Sequence, residues 1–94
     1  MEPKNAPGWF RDFKPTPDGR SLRVEYLMRD FRAAVEFIRA VAEAAETMDH
    51  HPDIHLTGYR RLALELTTHS TGKLSGKDFL LAARIEALPK DLKD

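Results

Sequence analysis

The chain has 94 residues, its 15 basic and 15 acidic side chains cancel, and it contains no cysteine. Such a length predicts one domain over 1–94 with a modest core, roughly 60 to 70% of the unfolded surface leaving water. The neutral balance gives no footprint for nucleic acid, the missing cysteines exclude a disulfide framework and thiolate chemistry, and no apolar run is long enough to span a bilayer.

Residues 1–8 hold two prolines, a glycine and an asparagine and read as a loose arm. The opening MEPKNAPGW lacks the basic-then-apolar pattern of a secretion signal, so the expected location is the cytoplasm. Trp9 to Lys14 is aromatic-rich and suits a short strand. PTPDG at 15–19 is a turn, with Pro17 at its first corner and Gly19 near its end. Then SLRVEYLM alternates: Leu22, Val24, Tyr26 and Met28 face one way, Arg23 and Glu25 the other. Period two predicts a half-buried strand and, with the segment before the turn, a hairpin.

Asp30 is placed to cap a helix. After it Phe31, Ala34, Val35, Ile38, Val41, Ala42, Ala45 and Met48 recur at spacings of three and four, which predicts an amphipathic helix of about five turns. Pro52 disfavours helical backbone at His51, so the helix should end near Asp49. From Asp53 the period returns to two, with Ile54 and Leu56 on one face and His55, Thr57 and Tyr59 on the other. Gly58 marks a corner. In RRLALELTTH, Leu62, Leu64 and Leu66 oppose Ala63, Glu65, Thr67 and His69 if the strand stays regular. STGKLSG is a loop, Ser75-x-x-Asp78 matches a capping box, and FLLAARIEAL forms a second helix stopped by Pro89. Residues 89–94 are a charged tail.

The order strand, strand, helix, strand, strand, helix predicts a two-layer α+β fold, in which both helices cover the leucine face of a four-stranded antiparallel sheet. The face assigned to His55, Tyr59, Glu65 and His69 is left uncovered. It is then a binding surface, an oligomer interface or both.

Three of the four histidines, His50, His51 and His55, crowd into ETMDHHPDIHLTGY. Zinc wants three or four ligands at fixed geometry, and this spacing, without HExxH or a cysteine partner, matches no standard site. A histidine after a helix C-terminus is ordinary, because the imidazolium is favoured there. An acid/base site is the other reading, since imidazole exchanges protons near neutral pH. A helix end, a proline-forced exit and a strand end can bring His50, His51 and His69 to one place. No GxSxG or phosphate-cradling glycine loop points to other chemistry.

ETMDHHPD, then LTTH, then LSGKDFLLAARI, with GW near the start and YLMRDFRAAVEFIRAVAEAAE between, resembles the pterin-4a-carbinolamine dehydratase family over roughly residues 8 to 88. The resemblance implies dehydration of 4a-hydroxytetrahydropterin to quinonoid dihydropterin, without a metal or other cofactor. It places His50, His51 and His69 as the acid/base and pterin-binding histidines. Glu46, Asp78 and Trp9 fall at further positions around the pocket, and Pro52 turns the chain and aims His51. It also implies a homo-oligomer, dimer or tetramer.

Ile54 stands where many dehydratases carry an aromatic residue. The HHPD, HL-x-GY and TTH pattern is also similar to a branch of dehydratase-like RuBisCO assembly factors. That similarity implies a protein-binding role with the RuBisCO large subunit as partner. Either role expects neither nucleic acid nor membrane.

Overall fold

A computed structural model describes residues 11–94. Trp9, the expected start of the first strand and the arm at 1–8 lie outside the described residues. Among the described residues four strands and two helices follow one another: β1 (Lys14–Pro15), β2 (Leu22–Leu27), α1 (Phe31–Met48), β3 (Asp53–Thr57), β4 (Arg61–Leu66) and α2 (Gly76–Ala87). The strands form one antiparallel sheet in the order β1-β2-β4-β3. This is the expected α+β architecture.

The register explains the core. Val24 pairs with Leu64 and Leu64 with Ile54, while Tyr26 pairs with Leu62 and Leu62 with Leu56. Successive side chains alternate across a strand, so these residues share one face. All but Ile54 pack with Ala34, Phe37 and Val41 of α1 and Leu81, Ala82 and Ile85 of α2. Leu62, Leu64 and Leu66 on the central strand are fully buried. Ile54 belongs to this face but is 37% exposed, because β3 is an edge strand.

α1 begins where expected. Asp30 accepts the Ala33 N–H at 2.9 Å, and that bond holds its carboxyl below the usual carboxylate range. Its buried stripe is rotated from the expected one. Ala33, Ala34, Phe37, Val41, Ala44 and Ala45 face inward, while Phe31 and Val35 are 56% and 40% exposed. Phe37 wins the inward place through the sheet: its ring meets the Tyr26 ring edge-on at 5.7 Å.

Two further expectations, on the first and last strands, are revised, and the tail gains contacts. The first strand is only Lys14–Pro15, and the residues before it are held elsewhere: the N–H groups of Arg11, Asp12 and Phe13 all donate to the Glu86 carboxylate at the end of α2. The charged tail docks against the end of β2. Leu92 bridges to Met28, Lys93 N–H donates to the Leu27 carbonyl, and Arg29 N–H to that of Asp91. The Lys90 ammonium lies 5.2 Å from both the Tyr26 and Phe37 ring centroids. Burial pushes the Tyr26 hydroxyl up, aided by its 2.8 Å bond to Asp12. Finally, β4 stops at Leu66, so Thr67 and His69 do not continue the exposed face. That face is carried by Arg23, Glu25, His55 and Glu65, with Ala63 buried among them.

Among the described residues no helix is long and apolar enough to cross a membrane.

Leu64 sits at the centre of both strand pairings with no exposed surface. Leu64→Ala should lower unfolding free energy by about 2 to 5 kcal/mol in a urea titration, the range for a buried leucine that leaves a cavity. A loss well under about 1 kcal/mol would contradict this packing.

Candidate active site

The chain leaves α1 through a left-handed residue. Asp49 has φ 51° and ψ 46°, and the His50 N–H returns to the Ala45 carbonyl at 3.0 Å. This tight exit, followed by Pro52, separates two adjacent histidines. The side chain of His50 is 10% exposed and that of His51 is 57% exposed.

His69 arrives from a different segment, the turn after β4. Beyond β4, Thr68 N–H donates to the Lys73 carbonyl at 3.3 Å, closing a turn that carries His69. α2 starts directly after this turn, with Ser75 as its cap. The end of α1, the end of β4 and the start of α2 therefore meet. Between them is a cleft of about 370 Å³, lined by His50, His51, Pro52, Thr68, His69 and Lys77 among others. A larger hollow of about 690 Å³ lies along β1 and β2, but no histidine lines it.

Behind His50 is a fully buried carboxylate, Asp78. Its Oδ2 accepts the Ser75 N–H at 2.9 Å, the return half of the expected capping box. The same oxygen accepts the Thr68 hydroxyl at 2.7 Å. Its Oδ1 lies 2.6 Å from His50 Nε2. Burying a carboxylate is costly unless donors replace water, and these three groups do so. Asp78 falls on the inward stripe of α2 with Leu81, Ala82 and Ile85. A carboxylate at a core position of an amphipathic helix was the signal that it does more than cap.

His51 Nε2 lies 2.7 Å from Glu46 Oε2, one turn back on α1. Both partners are exposed, at 57% and 74%, so solvent and salt screen the pair. An imidazole N–H pointing at a carboxylate leaves the other ring nitrogen as its basic atom. The site thus presents one firmly held imidazole, one loosely held imidazole and a third from the turn after β4, an arrangement suited to moving protons on a bound molecule. Among the described residues, no three His, Asp or Glu side chains gather as a metal-holding group.

The expected site residues sort as follows. His50, His51, His69 and Pro52 line one cleft. Glu46 and Asp78 stand one step behind it, each on a histidine. Trp9 lies outside the described residues. His55 lies in β3 opposite Ala63, exposed, and does not line the cleft. Thr68 and Lys77 were not singled out from the sequence. For Thr68 the signal was its place beside His69 at a strand end; for Lys77 there was none.

The two histidine–carboxylate pairs should differ in worth. Asp78→Ala leaves three part-buried donors without an acceptor and should cost about 3 kcal/mol or more in chemical denaturation. Glu46→Ala should cost less than about 1 kcal/mol. Equal losses would show that burial does not set their strength.

Comparison with known proteins bears on the identity of this cleft. The family model described as Pterin 4 alpha carbinolamine dehydratase matches residues 1–88. A relative from Saccharolobus islandicus (strain M.14.25 / Kamchatka #1), named for the same dehydratase, is 37% identical over 73 residues, 78% of this chain and 73% of its own. The crystal structure of a transcriptional coactivator/pterin dehydratase from Brucella melitensis superposes with a TM-score of 0.79 at 25% identity, covering 89% of this chain and 88% of that one. A pterin dehydratase-like protein described as a RuBisCO assembly factor in the alpha-carboxysome shares the fold, with a TM-score of 0.67 at 18% identity over 84% of this chain and 90% of that one. The chain belongs to the pterin-4a-carbinolamine dehydratase family.

Proposed function

We propose that this cleft binds a 4a-hydroxytetrahydropterin and dehydrates it to the quinonoid dihydropterin. The observation that carries the reading is the meeting of His50 and His51, from the exit of α1, with His69, from the turn after β4, at one cleft. Family membership supports the substrate class.

The reaction needs one proton delivered and one removed. The bond from carbon 4a to the hydroxyl oxygen breaks, the oxygen takes its electrons and a proton, and water leaves. The ring gives up a proton as its new double bond forms. His50 and His69 are the proposed proton carriers. His50 suits the task because its Nε2 is tied to Asp78, which fixes the ring and leaves Nδ1 as the basic atom. His51, the more exposed ring, binds and orients the pterin and takes part in proton transfer, with Glu46 steadying it from the helix. Positioned imidazoles of this kind contribute about 10² to 10⁴ in rate.

A second reading keeps the fold and drops the chemistry: a dehydratase-like binding protein acting on RuBisCO large subunits. It draws support from the fold shared with the carboxysome assembly factor and from the uncovered sheet face bearing Arg23, Glu25, His55 and Glu65. One assay separates the two. Freshly generated 4a-hydroxytetrahydropterin should lose water faster with wild-type protein than in buffer, and His51→Ala should remove about 10²-fold or more of that acceleration. No acceleration by folded wild type would sink the enzymatic reading and make RuBisCO large subunit the first binding partner to try.

A homo-oligomer is also proposed. Among the described residues β3 ends the sheet with an unpaired edge, and Phe31 and Val35 leave apolar surface on α1. Light scattering at micromolar concentration should give at least twice the chain mass; a monomer mass would refute this.

A further inference from the structure

The hydroxyl of Thr68 belongs to no expected role, yet it sits at the junction of the site. It lies 2.7 Å from Asp78 Oδ2 and 2.6 Å from Ser75 Oγ. A hydroxyl has one proton to give. Given to Asp78, it forces the Ser75 hydroxyl to be the donor in the second contact. The chain of protons then has one direction: Ser75 to Thr68, Thr68 to Asp78 Oδ2. The Ser75 N–H fills the same oxygen at 2.9 Å. With two donors on Oδ2, Asp78 turns Oδ1 to His50 Nε2 at 2.6 Å.

We infer that Thr68 is a positioning residue: its hydroxyl locks the Asp78 carboxylate so that His50 is held with its proton on Nε2 and its lone pair on Nδ1. Without the hydroxyl, the carboxylate loses one of two bonds that define its rotation about the Cβ–Cγ axis. The ring it holds then samples both tautomers, and only one presents the correct basic atom. Thr68 lines the cleft, but its one hydroxyl proton is committed to Asp78. The effect on turnover rests on the dehydratase reading above; the effect on the His50 tautomer does not.

The test uses Thr68→Val, which keeps the shape and removes the hydroxyl, beside Thr68→Ser, which keeps the hydroxyl. Two-bond nitrogen–proton correlation spectra of ¹⁵N-labelled protein read the His50 tautomer directly. Wild type should show Nε2 protonated and Nδ1 bare. Thr68→Val should show a mixture, and Thr68→Ser the wild-type pattern. In the dehydration assay Thr68→Val should lower kcat by about 10- to 100-fold, the range for losing an outer partner of a functional histidine. KM should stay within about twofold, because ground-state binding is untouched.

A wild-type tautomer in Thr68→Val overturns the inference, as does a Thr68→Ser variant that shifts the tautomer as far as Thr68→Val. If Thr68→Val does not fold, the wild-type spectrum still decides: His50 protonated on Nδ1 overturns the inference. Wild type without dehydratase activity would remove the proposed reaction and leave the tautomer result standing.

Discussion

The arrangement depends on one buried carboxylate. Asp78 has no exposed surface, and it accepts from the cap of its own helix, from the end of β4 and from the residue that leaves α1. An ionised carboxylate at such a place is tolerated only if donors replace the water it has lost. The need runs both ways. Asp78 requires Ser75, Thr68 and His50, and those groups converge because one acceptor satisfies all three. The cleft is formed by the same three segments. Site geometry and the join between elements are therefore one interaction, and loosening either loosens the other.

Much of the fold was legible because it rests on local patterns. Period two in LRVEYL and RLALEL, the cap at Asp30 and the stop before Pro52 needed no knowledge of neighbours. What failed was non-local. The inward stripe of α1 was placed by counting apolar residues, which put Phe31 on it and left Phe37 off; the sheet, through the Tyr26 ring, selects Phe37. The tail reads as charged because it is, but pairing with the end of β2 depends on backbone groups that carry no sequence signature. The N–H groups of residues 11–13 similarly turn to Glu86, far along the chain, instead of lengthening a strand.

The site divides along the same line. The histidines were visible as a crowd, and their convergence with His69 was a topological expectation that the geometry meets. Period-two extrapolation put His69 on the open sheet face, and it failed because β4 ends three residues earlier. Asp78 was visible as a cap and, through the family resemblance, as a pocket residue, but its bond to His50 was not. A cap needs only one oxygen; the second is free to hold a histidine, and nothing in Ser75-x-x-Asp78 says which. Thr68 was invisible as an individual, because a hydroxyl gains meaning only from what it faces.

The contrast between His50 and His51 carries the argument furthest. They are adjacent in sequence and each has a carboxylate within 2.7 Å, yet their surroundings are opposite. Asp78 is fixed by two further donors and shielded from solvent, so its hold on His50 is strong and directional. Glu46 projects from a helix surface, and its hold on His51 is shared with water. A left-handed Asp49 and a proline two residues after His50 produce this split by turning consecutive side chains to different environments. In the proposed chemistry a proton carrier needs one defined basic atom, while a group that meets a substrate from solvent must adjust as the substrate arrives. The backbone around HHP supplies both from two copies of the same side chain.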